Sequence, residues 1–279
     1  MNSINFFTLF CNRQNPKPQT LKPTMYKLII RPILFCFSAE TIHHFVSVSL
    51  RIVFAIPGMA FLVRKVMLVK HPLLEQNLFG LHFPNPVGIA AGFDKEANLY
   101  NHLANFGFGH IEIGTITPLP QPGNPKPRLF RIIKDGAIIN RMGFNNHGAD
   151  AFLKNLRKHK PNVIIGGNIG KNTLTPEEKA IDDYIFCFNK IHSKVDYFAI
   201  NVSCPNIANL HKLADHDNLQ KLLQAIQSEN NKKTIQKPVL LKISPDLTNQ
   251  QLDEVIEIVK STGIDGIIAT NTTTKREGL

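Results

Sequence analysis

From about residue 85 onward the chain alternates six times between a short apolar segment and a stretch of helical periodicity, and this most narrows the fold. The apolar segments are 87–91, 110–114, 163–168, 197–202, 239–244 and 266–270. Runs this short, apolar on both faces and separated by helices, predict a parallel sheet with helical crossovers. The helices carry their own signals. Thr175-Pro176-Glu177-Glu178 predicts a capping hydroxyl before a proline in the first turn. Thr248 with Gln251 forms a capping box ahead of Leu252, Val255, Ile256 and Val259, and Leu219, Leu222, Leu223 and Ile226 repeat the same spacing. Segments 128–133 and 137–140 flank Lys134-Asp135-Gly136 as a hairpin, an excursion over the mouth of the sheet.

An open doubly wound sheet and a closed barrel both accommodate six such units, and the polar residues decide between them. Lys95, Thr115, Asn168, Cys204 with Asn206, Lys242 and Asn271 fall within or just after successive strands near their carboxyl ends. A (β/α)8 TIM barrel collects its active site in that way, whereas an open sheet concentrates it at one switch point. The expected class is therefore α/β, with about six of eight barrel units present. Such barrels need roughly 250 residues, so two further units are expected beyond Leu279, with the loops that usually hold cofactor phosphate.

The first eighty residues differ from the rest. They hold nine Lys and Arg against two acidic residues, in a chain of net charge +11. Each basic side chain near an anionic bilayer surface is worth about 1 kcal/mol, so a membrane surface is the expected partner. No aromatic platform or recognition helix accompanies the charge, and nucleic acid is not expected. The uncharged run 52–63 is broken by Pro57-Gly58 and falls short of the ~20 residues of a spanning helix. Residues 1–24 read as a disordered leader. Residues 25–80 read as two or three short amphipathic helices, lying in a membrane interface or forming a small cap on the remainder, 81–279.

Cys11, Cys36, Cys187 and Cys204 form no paired spacing and have no histidine at ligand distance, so neither zinc nor an iron–sulfur cluster is expected, and a reducing compartment is the default. The run 166–172 has the wrong glycine spacing for a phosphate loop, with Asn172 where a hydroxyl must bind magnesium. The proline cluster 118–127 reads as a stiff active-site loop.

The chemistry is densest at Asn201-Val202-Ser203-Cys204-Pro205-Asn206, where an apolar strand ends in two amides, a hydroxyl and a thiol. A thiol of pKa about 8.5 is tuned toward neutrality more readily than a serine hydroxyl, so Cys204 is the candidate base. Lys242 inside an apolar strand is costly unless paired, which marks it as functional. Taken with Ala91-Gly92-Phe93-Asp94-Lys95 and Asn140-Arg141-Met142-Gly143-Phe144-Asn145, this run resembles the flavin-dependent dihydroorotate dehydrogenases, from about Met25 to the last residue.

The resemblance implies FMN as cofactor, held by Ala91, Gly92, Phe93, Asp94, Lys95, Thr115, Asn168, Asn201, Lys242 and Thr270. It implies dihydroorotate and orotate contacts from Lys95, Asn140, Arg141, Met142, Gly143, Phe144, Asn201, Asn206, Asn271 and Thr272, and a quinone pocket touching His43 and Arg131. Cysteine at position 204 is typical of the soluble, fumarate- or NAD-linked branch. The helical extension and the 114–118 and 122–125 stretches resemble the quinone-linked branch, and the extension weighs more because it changes the electron acceptor. Ubiquinone or menaquinone is the acceptor implied, at the cytoplasmic face of a bacterial inner membrane or at the mitochondrial inner membrane. The alternatives are the soluble activity and an inactive truncated fragment.

Overall fold

The computed structural model describes residues 25–156, 163–202 and 216–277. Its centre is a six-stranded parallel sheet of β3 (Gly88–Ile89), β4 (His110–Ile116), β7 (Ile164–Ile169), β8 (Tyr197–Asn201), β9 (Val239–Ile243) and β10 (Gly266–Ala269). Each strand pairs with the one before it, in the order β10-β9-β8-β7-β4-β3. A doubly wound sheet would reverse direction at a switch point. This one never does, so it forms consecutive staves of a barrel wall, as the sequence predicted.

The two faces of the wall differ. Outward-facing Ile111, Ile113, Ile165, Phe198, Ile200 and Leu241 meet Phe152 of α5 (Gly148–Asn155), Tyr184 and Phe188 of α6 (Ala180–Ile191), Leu222, Leu223 and Ile226 of α7 (His216–Asn231), and Val255 and Ile258 of α8 (Asn249–Thr262). Each fully buried aromatic or branched side chain in this layer contributes roughly 1.5–3 kcal/mol. Inside the barrel, Ile164, Tyr197, Ala199 and Leu240 pack on Phe83, Leu78 and Leu81.

Those last three come from a ribbon that the apolar pattern did not announce. β1 (Gln76–Leu78) and β2 (Leu81–Phe83) pair antiparallel across Phe79-Gly80, both at positive φ (54° and 73°). That is the backbone of a two-residue hairpin turn. Residues 76–80 are thus strand and turn rather than part of a helical segment. The expected hairpin at 128–140 is present as β5 (Leu129–Ile132) and β6 (Ala137–Asn140), with Gly136 at φ 62° in its turn.

The capping box at Thr248 and Gln251 is formed as expected, and α8 ends at Gly263 in the left-handed region. The cap expected at Thr175 is not formed. Its hydroxyl donates to Asp183 at 2.7 Å, and Pro176 itself precedes a 3-10 turn, Glu177–Lys179, that leads into α6. The turn begins one residue later than expected, so that proline rather than threonine stands at its cap position.

Ahead of the ribbon, a π-type turn, Tyr26–Ile30, runs into α1 (Arg31–Phe35), followed by α2 (Ala39–Ala55) and α3 (Met59–Met67). Ser38 caps α2 by accepting from the Thr41 amide, and Gly58 at φ 83° makes the break at Pro57-Gly58. α2 is apolar on both sides: Leu50 packs against the core and Ile42 and Val46 are half-buried, yet much of its apolar surface faces outward. Its buried residues are Glu40 and Ser47, while Phe45, Val48, Ile52, Val53 and Ile56 are exposed. Phe61, Leu62 and Val66 extend the apolar surface on α3. Among the described residues no single helix is long and apolar enough to cross a membrane; the pair 26–35 and 39–55 passes that test only together, bent by 115°.

Candidate active site

Because the strands are parallel, their carboxyl ends share one rim, and polar side chains meet there. The Thr115 hydroxyl donates to Asn168 Oδ1 at 2.6 Å. Asn201 Nδ2 donates to Thr115 Oγ1 at 3.1 Å and to Asn168 Oδ1 at 3.2 Å, and Asn201 Oδ1 accepts from Asn271 Nδ2 at 3.1 Å. Below them, Asn168 Nδ2 donates to Glu112 Oε1 at 2.9 Å, and Lys242 Nζ lies 3.6 Å from the same oxygen. Tyr197 donates its hydroxyl to Glu112 Oε2 at 3.3 Å. Burial, reinforced by the Glu112 charge, pushes the Tyr197 phenol far up, so it remains a donor. Thr115, Asn168, Asn201, Lys242 and Glu112 are all buried.

Local backbone makes this convergence possible. The pairing of β4 with β7 shifts register between Ile113 and Ile116, around Gly114 at φ 108°. A Cβ at Gly114 would sit 2.5 Å from the Asn168 carbonyl oxygen, so only glycine permits that approach. Gly114 also fastens the 91–95 segment: its carbonyl accepts from Gly92 N at 2.8 Å and its amide donates to the Asp94 carbonyl at 3.0 Å. The Asp94 carboxylate is occupied by the backbone amides of Asn98, Leu99 and Tyr100. Burial raises its pKa, against the pull of those three donors. Asp94 therefore shapes the cradle through its backbone and anchors the turn behind it. Beside Gly92 the space is open, with Ala91 half-buried and Phe93 exposed.

A second wall comes from the 140–145 run. Lys95 Nζ donates to Asn145 Oδ1 at 2.6 Å. Gly143 (φ 72°) and Phe144 (φ 52°) take left-handed conformations, with their carbonyls held by Gln121 at 3.3 and 3.1 Å. The Phe144 ring lies against Gly170 beside the Thr115 methyl, which brings this wall to the same rim. The Met142 carbonyl accepts from Asn124 N, and Asn140 ends β6, half-buried. Arg141 is exposed and engaged elsewhere: its guanidinium donates twice to the Pro127 carbonyl, at 3.0 and 2.8 Å.

On the far side, Asn271 N donates to the Ile243 carbonyl, which ties the segment after β10 to β9, and Thr272 N donates to Asn271 Oδ1. Asp246 accepts from the Thr273 and Thr274 hydroxyls and the Thr274 amide, closing that loop. Thr270 is exposed, its hydroxyl on the Asn271 carbonyl. Cys204 and Asn206 lie outside the described residues.

The N-terminal helices reach this rim. The His43 ring packs edge-on against Phe93, with centroids 4.9 Å apart. Burial lowers its pKa first, with the charges of His44 and Lys95 adding to it. Arg131 donates to the Phe37 carbonyl at 2.7 Å and stacks over Phe35 at 4.5 Å, at the junction of helices and hairpin. An open cavity of about 400 Å³ lies between α2 and the proline loop, lined by Glu40, His44, Gln121, Lys126, Asn145 and His147 among others. None of Thr115, Asn168, Asn201 and Asn271 lines it, and it meets the Lys95 wall at Asn145.

Sequence reasoning assigned no role to Glu112, Tyr197 or Gln121. Glu112 was within reach: an acid in the apolar strand His110-Ile111-Glu112-Ile113 is as costly as Lys242 unless the two are paired. The arrangement presents amide donors and acceptors, two lysines and an open glycine-lined shelf on one rim. That donor set suits a flat, imide-bearing, electron-accepting ring above the strand ends.

The sequence matches the family model described as Dihydroorotate dehydrogenase over residues 73–279. A Dihydroorotate dehydrogenase (quinone) from Christiangramia forsetii is 54% identical over 255 residues, covering 91% of this chain and 75% of the relative. Another from Roseiflexus sp. is 46% identical over 252 residues, covering 90% and 70%. Among solved structures, DHODH from Eimeria tenella in complex with ferulenol is similar with a TM-score of 0.73 and 35% identity, covering 86% of this chain and 68% of that one.

Proposed function

The chain belongs to the dihydroorotate dehydrogenase family, and from that premise we propose how its own residues divide the work. Its reaction is the oxidation of (S)-dihydroorotate to orotate with a quinone as acceptor, a step of pyrimidine biosynthesis. FMN, when bound, supplies the hydride acceptor. The residues that would hold it are Ala91, Gly92, Phe93, Asp94, Lys95, Thr115, Asn168, Asn201, Lys242 and Thr270. The donor–acceptor alternation of Thr115, Asn168 and Asn201 suits the edge of a flavin ring, and Lys242 supplies positive charge where the reduced ring gathers electrons.

Substrate is held between this rim and the 140–145 wall. Asn140, Arg141, Met142, Gly143 and Phe144 shape one side, and Asn201, Asn206, Asn271 and Thr272 offer amide and hydroxyl groups along the other. Lys95 offers an ammonium to the carboxylate of orotate. Cys204 takes the C5 proton at its thiolate sulfur as hydride leaves C6, so that one proton and one hydride depart together. Its place three residues after Asn201 in the chain supports that role.

The quinone arrives from the N-terminal side. His43 against Phe93, and Arg131 beneath α1, support a pocket between the helices and the flavin shelf. The outward apolar faces of α2 and α3 support peripheral seating on a bilayer, with residues 25–80 as the membrane and quinone unit and 81–279 as the barrel. The inner face of a bacterial membrane is the expected place, and ubiquinone or menaquinone the acceptor.

One observation carries this reading: Thr115, Asn168, Asn201 and Asn271, from four separate staves, form one hydrogen-bonded chain at a single rim with Lys242 beneath it. The test is anaerobic mixing of the FMN-loaded full chain with (S)-dihydroorotate, then with a quinone. Bleaching of the flavin absorbance followed by its return is expected; a flavin that dihydroorotate leaves oxidised contradicts the reading.

A further inference from the structure

The amide chain at the rim rests on Glu112, a buried residue whose partners among the described residues are Asn168, Tyr197 and Lys242, none of them assigned to substrate. Asparagine side chains have two nearly symmetric faces, one donating and one accepting, and only their neighbours decide which way each is turned. A carboxylate accepts and never donates. Glu112 therefore obliges Asn168 to turn its Nδ2 inward, at 2.9 Å, which leaves Oδ1 for the Thr115 hydroxyl and Asn201 Nδ2. Asn201 in turn presents Oδ1 to Asn271. At the far, more exposed end the Thr272 amide fixes Asn271 with the same polarity.

Glu112 also sets the charge beneath the rim. Lys242 Nζ lies 3.6 Å from the oxygen that Asn168 uses, and both side chains are less than a tenth exposed. Space for this arrangement is built into the wall. A Cβ at Gly166 would fall 2.2 Å from the Tyr197 ring, so glycine lets that ring lie across β7 and reach Glu112 Oε2.

We propose that Glu112 is a positioning residue for the flavin site, fixing the amide orientation of Asn168 and neutralising Lys242 from below. The inference rests on the functional reading above. Removing its charge takes away a negative charge 3.6 Å from the Lys242 ammonium beneath the ring, which favours the electron-rich reduced flavin.

The test compares the FMN-loaded full chain with Glu112→Gln, Tyr197→Phe and the double variant Glu112→Gln/Asn168→Asp. Flavin reduction potential and orotate binding to the oxidised protein are read by absorbance. Glu112→Gln is expected to favour reduction about tenfold, a rise of about 30 mV for a two-electron couple, and to weaken orotate by a similar factor. Tyr197→Phe removes one donor but keeps the charge, and leaves the potential in place. The double variant returns the negative charge one hydrogen bond away and still offers an oxygen to Thr115 and Asn201, so it restores the potential. An unchanged potential in Glu112→Gln, or an equal shift in Tyr197→Phe, overturns the proposal. Should Glu112→Gln not accumulate as folded protein, the double variant decides: folded with the wild-type potential supports the proposal, and failure to fold overturns it. A wild-type chain that holds no FMN overturns the functional reading itself, and is distinguished by that.

Discussion

Glu40 on α2 and Arg128 beside β5 form a buried ion pair, with Arg128 donating at 2.8 Å to Glu40 Oε1 and through Nε to both oxygens at 3.3 Å. The other arm of Arg128 donates to the carbonyls of Pro122 at 2.6 Å and Asn124 at 3.0 Å. One guanidinium thus joins the helical segment, the proline loop and the hairpin.

Glu40→Ala leaves Arg128 buried without its charge partner, a loss on the order of 3 kcal/mol. The hydrogen bond from Arg128 holds the Glu40 carboxyl below its ordinary 4.5 against the pull of burial, and the charges of Arg128 and Lys126 add to it. A lowered pKa stabilises the fold above the ordinary value and loses that effect as pH falls through the folded one. Thermal unfolding in acid should therefore show wild type approaching the Glu40→Ala variant below about pH 4.5, whereas at neutral pH the two differ most.

Gly166→Ala drives a methyl group into the Tyr197 ring, 2.2 Å from its nearest carbon. Overpacking of this kind costs about 1–3 kcal/mol. Chemical denaturation is expected to show that loss. An alanine variant as stable as wild type would show that the ring is not held there.

Cys204→Ala should keep FMN yet slow flavin reduction by dihydroorotate roughly 10²- to 10⁴-fold, the usual worth of a positioned base. Cys204→Ser should restore part of the rate with the pH profile displaced upward, since a hydroxyl surrenders its proton less readily than a thiol. Stopped-flow reduction across pH reads both, and wild-type rates in the alanine variant would remove Cys204 from the mechanism.

The outward apolar residues of α2 and α3 give a separate expectation. Phe45→Glu with Phe61→Glu should leave reduction by dihydroorotate intact and reduce sedimentation with anionic vesicles, along with turnover of a vesicle-borne quinone. Both positions are strongly exposed, 60% and 68%, so the fold has little reason to suffer. Unaltered vesicle binding would place the membrane contact elsewhere.

Much of this was legible in the sequence, for a physical reason. Buried parallel strands are marked by short apolar runs, and the residues at their carboxyl ends are polar only where a rim needs them, so Thr115, Asn168, Asn201 and Lys242 could be placed together before any coordinates. The hairpin at 76–83 was not legible: three-residue strands carry too little periodicity, and the Phe79-Gly80 turn lacks the usual Asn or Asp. The cap at Thr175 is absent because the helical turn starts one residue later, at Glu177 with Pro176 before it, a shift of one position that the local pattern does not record. Glu112 carries no such strand-end mark, because it sits within its strand and its partners come from β7, β8 and β9. The outward apolar side of α2 was not legible because the inward side is marked by Glu40, whose burial depends on Arg128, 88 residues away.

The central claim is that these staves converge beneath one flat redox ring. It is tested most directly by the crystal structure of the full chain with FMN and orotate. The account predicts the flavin ring over the strand ends, within hydrogen-bond distance of Asn168, Asn201 and Lys242, and orotate between that ring and the 140–145 wall. A flavin seated away from this rim, or orotate bound with no contact to Asn201 or Asn271, would contradict it.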